Sequence, residues 1–318
     1  MSRSRILSSL LLASTLALGA CAPQEAAPEP KPAPEQEDRR TDEDRRPSSS
    51  ASGSGSPSGT PVQAPEVDRL RIGISADSPG LGLIEDGDRP EGFDVEVARR
   101  IADRLEVSER EIDWVPLLPH ERAQALRDGE VDLVAASFSM TENRQEQIDF
   151  AGPYLVADQD LLVRTEDSDE MDSLTDLRDR RVCVAEGSTA LDAVEESAPD
   201  STQMIQQHSL AECVVYLESG FVDAVAGDDV VLAGLVKDGE LQETMELAGI
   251  EDAAFSTQRY GVGLASGSPL CPAVSETIQR LRESGQRDRL LQAATQDTGY
   301  RLDQELNSGE AAEPEPCP

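Results

Sequence analysis

Arg144 is a lone guanidinium at the end of "VAASFSMTENR", a stretch that leaves an apolar run through Ser137, Ser139 and Thr141. Its planar fork of N–H donors suits a carboxylate. Ser188 and Thr189 follow "VCVAEG" where a helix should begin, and the free N–H groups of a helix start favour an anion. Asp228 closes "DAVAG" and supplies the opposite charge. Ser137 and Ser139, two residues apart, are expected on one face of a strand, where both hydroxyls can bond to one small ligand. An α-amino acid zwitterion needs this set: donors for its carboxylate and an acceptor for its ammonium. Singly, each residue has an ordinary alternative. Arg144 could pair with Glu142, Glu146 or Asp149 on the surface, Ser188 could simply cap a helix, and Asp228 could belong to a turn. Their arrival at successive strand ends favours the binding reading.

Those ends belong to an alternating pattern. "RLRIGIS" places Leu70, Ile72 and Ile74 at strand period, and "FDVEVARRIADRL" places Phe93, Val97, Ile101 and Leu105 on one helix face. "EIDWVPL" and "VDLVAAS" read as strands around a short helix, "ERAQALRDGE". "LLVRT", "RVCVAEG", "QMIQQH" and "DAVAGD" continue the series, with helices at 189–197 and 209–219. Such alternation predicts an α/β fold with mostly parallel sheets flanked by helices. In open sheets of this kind ligands lie beyond the carboxyl ends of strands.

The first 21 residues read as an export signal: Arg3 and Arg5, the apolar run Ile6–Leu18, then "LGAC". The ending resembles the lipobox of bacterial lipoproteins, which implies a lipid on Cys21 and attachment to a membrane without a spanning helix. An ordinary signal peptide is the alternative. Residues 22–66, rich in Pro, Glu, Arg and Ser, form a linker with nothing to build a core. These first 66 residues carry nine acids and seven bases, so −33 of the formal −35 falls on residues 67–318. That balance excludes a nucleic-acid partner. Setting Cys21 aside leaves four cysteines in an exported chain, an even count that suggests disulfides. Cys183 in a strand is paired with Cys213 on the helix that follows, and Cys271 with Cys317 by elimination; unpaired thiols are the alternative.

Six pieces in order carry a family resemblance: "LRIGISADSPGLG", "RPEGFDVEVARRIADRL", "ALRDGEVDLVAASFSMTENRQEQIDFAGPY", "LRDRRVCVAEGST", "GFVDAVAGDDVVLAG" and "RYGVGLASGSP". Spanning about residues 70–291, they resemble the family-3 extracellular solute-binding proteins of polar amino-acid ABC transporters, and within them the glutamate-binding lipoproteins. The resemblance implies that Arg144 binds the ligand's α-carboxylate, Asp228 its α-amino group, and Ser137, Ser139 and Thr189 complete the shell. It implies that Arg122, in "HERAQAL", meets a side-chain carboxylate; a solvated helix face is the alternative. It also supports the Cys183–Cys213 pair. Some glutamate binders have a lysine near the end of the first strand, where Ser75 and Ala76 stand here, so the sequence leaves glutamate, aspartate and glutamine open.

The architecture so implied is a type II periplasmic-binding-protein-like fold. Lobe 1 is expected at 67–158 and 254–305, lobe 2 at 159–253 and a tail at 306–318. The two crossings are expected near 156–161 and 253–259. The chain would be an extracytoplasmic, membrane-anchored monomer that closes on its ligand and is read by a permease, with no metal, cofactor or reaction of its own. The rivals are a small-carboxylate dehydratase on the same fold and a sensor domain. Only two histidines, His120 and His208, are present, without G-x-S-x-G, C-x-x-C or metal-ligand spacing, which disfavours the enzyme.

Overall fold

The computed structural model describes residues 65–85, 89–237, 240–250, 255, 257–315 and 317. The export signal, Cys21 and the linker up to residue 64 lie outside the described residues, as does part of the second expected crossing. In chain order the strands are β1 (Leu70–Ile74), β2 (Asp77–Ser78), β3 (Gly82–Leu83), β4 (Ile112–Pro116), β5 (Leu133–Val134), β6 (Asp149–Ala157), β7 (Gln159–Arg164), β8 (Arg181–Ala185), β9 (Gln203–Gln207), β10 (Ala224–Asp228), β11 (Met245–Leu247) and β12 (Gln258–Leu264). The helices are α1 (Phe93–Arg104), α2 (Arg122–Arg127), α3 (Glu142–Gln145), α4 (Thr189–Ser197), α5 (Leu210–Glu218), α6 (Asp229–Leu235), α7 (Glu240–Thr244), α8 (Cys271–Glu283), α9 (Gln286–Thr295) and α10 (Gln304–Ser308).

Two five-stranded sheets organise the chain, in the orders β4-β1-β5-β12-β6 and β11-β7-β10-β8-β9. Each is covered on both faces, as period-2 strands without a polar face require. In lobe 1, one face packs on α1, α8 and α9 through Phe93, Ile101, Val274 and Leu291, and the other on Ala125, Leu126 and Phe138. In lobe 2, Val182, Val184 and Val194 fill one face, and Cys183, Val214 and Leu217 the other. Serines punctuate the helices: Ser188 Oγ accepts Leu191 N–H, and Ser209 Oγ accepts Glu212 N–H, caps that relieve the unpaired donors of a helix start.

The sheets are less parallel than the alternating pattern predicts. β1 runs parallel to β4 and β5, and β8 to β9 and β10. However, β12 is antiparallel to β5 and β6, and β7 is antiparallel to β10 and β11. The cause is the crossing itself. The chain leaves one sheet along β6, passes Asp158, and enters the other as β7. It comes back along β12, which must run against β6.

Both cysteine pairs are bonded: Cys183 (β8) to Cys213 (α5), with Cα atoms 5.5 Å apart, and Cys271 (α8) to Cys317, at 5.9 Å. Closing a loop of 30 residues removes roughly 3–4 kcal/mol of unfolded-chain entropy in the simplest model. The segment after residue 305, set apart above as a tail, is docked on lobe 1. Asn307 Oδ1 accepts Val156 N–H at 2.9 Å, and its Nδ2 donates to Val156 O at 2.7 Å. Glu315 bridges to Gly152 and pairs with Arg259. This segment therefore occupies the open edge of β6, which would otherwise present unpaired backbone groups.

Candidate functional site

The strand ends of the two sheets face each other across a narrow cleft whose enclosed volume is about 60 Å³. Arg122, Ser137, Ser139 and Arg144 line it from lobe 1, and Ser188, Thr189 and Asp228 from lobe 2. All seven residues singled out in the sequence meet there, although 91 positions separate Ser137 from Asp228 in the chain.

Arg144 owes its position to a one-turn helix. Thr141 caps α3, accepting the Arg144 N–H at 3.4 Å. The guanidinium lies over the Phe138 ring, 4.9 Å from its centroid. Nη1 donates to Ser139 O at 2.8 Å, and Nη2 reaches lobe 2 to donate to Gly187 O at 2.9 Å. Glu142, Glu146 and Asp149 do not pair with it; among the described residues it has no carboxylate partner. Burial and the nearby Arg122 push its pKa down to about 10, with Asp228 and Asp192 acting against them.

Arg122, only 8% exposed, is not the solvated surface residue of the alternative reading. Its Nη2 donates to Ser75 Oγ at 3.0 Å, while its buried Nε has no partner. Burial lowers its pKa, and the charges of Asp94 and Asp77 oppose that. A buried cation with an unused donor is costly unless an anion arrives to meet it.

Ser137 and Ser139 do not share a strand face, contrary to expectation. β5 ends at Val134, and Ser137 turns into the left-handed region with φ 46°. Asp94, wholly buried in the first turn of α1, holds that turn. Its Oδ2 accepts Ser137 N–H at 2.7 Å and Ser137 Oγ–H at 2.9 Å, and its Oδ1 accepts the Tyr154 hydroxyl at 2.9 Å. Burial pushes Asp94 up to about 6 despite these donors. The Ser137 hydroxyl has thus spent its proton on Asp94 and can only accept from a ligand. Ser139 is 4% exposed and makes an isolated bridge to Tyr260.

On the facing wall, Ser188 is committed as the cap of α4, and Thr189 Oγ1 accepts Gln159 Nε2 at 3.1 Å. Asp228 ends β10 and begins α6, and its Oδ2 accepts the Tyr260 hydroxyl. Burial lifts its pKa to about 6, against Tyr260, Arg144 and Gln159. The walls are in contact. A Cβ on Gly187, whose φ is +73°, would lie 2.7 Å from His120 Cα, and one on Gly234 would overlap the Pro79 carbonyl oxygen. At the mouth, Glu186 lies 3.9 Å from His120 Nδ1 and 3.5 Å from His208 Nδ1.

A family model confirms what this geometry suggests: residues 70–295 match the bacterial extracellular solute-binding proteins, family 3. The chain belongs to that family. It is 31% identical to the glutamate-binding protein GluB of Corynebacterium efficiens, over 71% of this chain and 78% of that protein. It is 26% identical to the ABC transporter glutamine-binding protein GlnH of Bacillus subtilis, over 70% and 80%. Among solved structures, an ancestral arginine-binding protein bound to glutamine superposes with a TM-score of 0.65 at 28% identity, covering 72% of this chain and 98% of that one. The ancestral amino-acid-binding protein AncCDT-1, a precursor of cyclohexadienyl dehydratase, gives 0.63 at 26%, covering 71% and 94%. Family members are extracytoplasmic.

Sequence reasoning missed Asp94, Tyr154 and Tyr260 as builders of the site. Their signals were present in "GFD", "GPY" and "RYG", but a buried acid carries no mark of which turn it holds. It also passed over Asp77, Ser78 and Ser209, which line the same cleft.

Proposed function

We propose that this solute-binding protein captures L-glutamate for an ABC transporter. Cys21 anchors it outside the membrane, and closure of the two lobes signals the loaded state to the permease. The observation that carries this reading is the charge layout of the cleft. Arg144 and Asp228 stand on opposite walls for the α-carboxylate and α-ammonium, and Arg122 adds a second guanidinium, this one buried and with a free donor. Thr189 and the first N–H groups of α4 supply further donors on the carboxylate side, where a helix start favours an anion. Because Arg144 and Asp228 belong to different lobes, one zwitterion bridges them only when the cleft is closed, and that differential contact is what shifts the population. A second carboxylate near Arg122 converts an unmet cation into a charge-assisted pair.

Asp77 supports one other ligand. It lines the cleft and acts on Arg122, and a donor beside an acceptor suits the carboxamide of glutamine. The deciding experiment is a calorimetric panel of the common L-amino acids on the wild-type protein, Arg122→Gln and Asp77→Asn. Glutamate should bind one-to-one and most tightly. Arg122→Gln should weaken glutamate at least tenfold more than glutamine. Equal losses for the two would rule out the side-chain role of Arg122, and loss of glutamine binding in Asp77→Asn would assign the site to the amide. Recovery of the ligand unchanged after long incubation separates a carrier from a dehydratase.

A further inference from the structure

Asp228 belongs to lobe 2, yet it is held by the strands that carry the chain between the lobes. Tyr260 on β12, fully buried in the lobe 1 core, donates its hydroxyl to Asp228 Oδ2. Gln159, the first residue of β7 and the register partner of Asp228, is 2% exposed and also hydrogen-bonds the acid while donating to Thr189. We infer that Tyr260 is a positioning residue: its hydroxyl holds Asp228 from across the cleft, and so gives the closed form a contact that needs no ligand. The inference rests on reading Asp228 as the ammonium's partner.

A buried carboxylate must find donors or lose its charge. Here a neutral phenol supplies one. It stabilises the ionised acid and leaves further lone pairs, because a carboxylate offers about four acceptor sites. The donor comes from the opposite lobe, so opening the cleft breaks the bond. The other groups that act on Asp228 are Arg144 and Arg122 from lobe 1, Asp229 beside it on α6, and Tyr300. None of these replaces the hydroxyl as a hydrogen-bond donor to Oδ2. The Tyr260 ring also packs near Tyr154, with centroids 6.3 Å apart, and Tyr260→Phe keeps that packing while removing the donor.

Two measurements on the full chain test this. The first is small-angle scattering of the empty wild type, Tyr260→Phe, Asp228→Leu and the double variant. Tyr260→Phe should enlarge the radius of gyration, and the same change in the Asp228→Leu background should have no effect. Equal enlargement in both backgrounds, or none in either, overturns the inference. The second is glutamate affinity from about pH 5 to pH 8. Loss of one hydrogen bond to a charged group should move the pH of half-maximal affinity up by about one unit, a tenfold change in the protonation constant; an unmoved midpoint overturns the inference. Should the variants not fold, NMR of the empty wild type at neutral pH should show a slowly exchanging, downfield Tyr260 hydroxyl proton, and rapid exchange counts against the proposal. The scattering arm needs no ligand. A wild type that binds no amino acid therefore defeats the proposed function without deciding this inference.

Discussion

The two walls of the cleft are built on opposite plans. Lobe 1 presents two guanidiniums and braces them from behind. The buried Asp94 and Tyr154 and the half-buried Ser137 form a network, Thr141 caps the turn that carries Arg144, and Ser75 holds Arg122. Lobe 2 presents a helix start and Asp228, and the bonds of that acid come from Tyr260 across the cleft and Gln159 at the crossing. Most of the bracing of the lobe 1 wall comes from its own lobe, with Arg144 alone reaching across to Gly187 O, whereas the acid on the lobe 2 wall takes the Tyr260 hydroxyl from across the cleft. On the function proposed above, this difference assigns anion recognition to lobe 1 and makes the ammonium the group that senses closure.

The largest effect should come from the lobe 1 wall. Arg144→Ala removes the α-carboxylate partner, and loss of one member of a buried charged pair costs about 2–5 kcal/mol. Calorimetry should therefore show a loss of thirtyfold or more; wild-type affinity in this variant would end the comparison.

Next in size is a change that touches no ligand group. Gly234 on α6 meets Pro79 of lobe 1 without room for a Cβ, so Gly234→Ala should prop the cleft open. Affinity should fall about tenfold while the melting temperature changes little, because the clash is relieved by opening. A large drop in melting temperature with unchanged affinity would place the strain inside lobe 2 instead.

The pH dependence should follow the lobe 2 wall. Burial raises Asp228 to about 6, and an ammonium partner requires the ionised form. Affinity should be flat above about pH 7 and weaken towards tenfold per unit below 6. Stability of the empty protein should run the other way. Asp94 and Asp228 are raised to about 6 and Asp229 to about 8. The folded state therefore keeps protons that the unfolded chain releases near pH 4. Their contribution is greatest below pH 4 and is lost as pH rises through 6 to 8. Asp223 and Glu109, whose values are lowered, titrate below that window. Thermal melts from pH 5 to pH 8 check the sign, and saturating glutamate should flatten the share that belongs to Asp228.

The smallest effect belongs to the mouth. His120→Ala removes a side chain that meets Glu186 only at 3.9 Å and in contact with water; exposed pairs contribute about 1 kcal/mol or less. Affinity should change less than about fivefold, and a larger loss would move part of the closing force from the hinge to the rim.

Much of this molecule is legible without coordinates. Alternating periods name the α/β class, since a strand or helix must bury one stripe of apolar residues whatever its neighbours are. The chemistry of single side chains is equally local, so a carboxylate-matching guanidinium at 144 and an acid at 228 fit the zwitterion proposed above. Other features depended on what lies next to each residue in space. The sequence could not say that Ser137 leaves the strand, that Asp94 accepts its hydroxyl hydrogen bond, or that the crossing strands turn half of the ladder antiparallel. Nor could it set Tyr260 against Asp228. Those outcomes come from contacts between segments tens to a hundred residues apart. Their energies depend on burial and distance, which a chain acquires only when its two lobes are folded and closed.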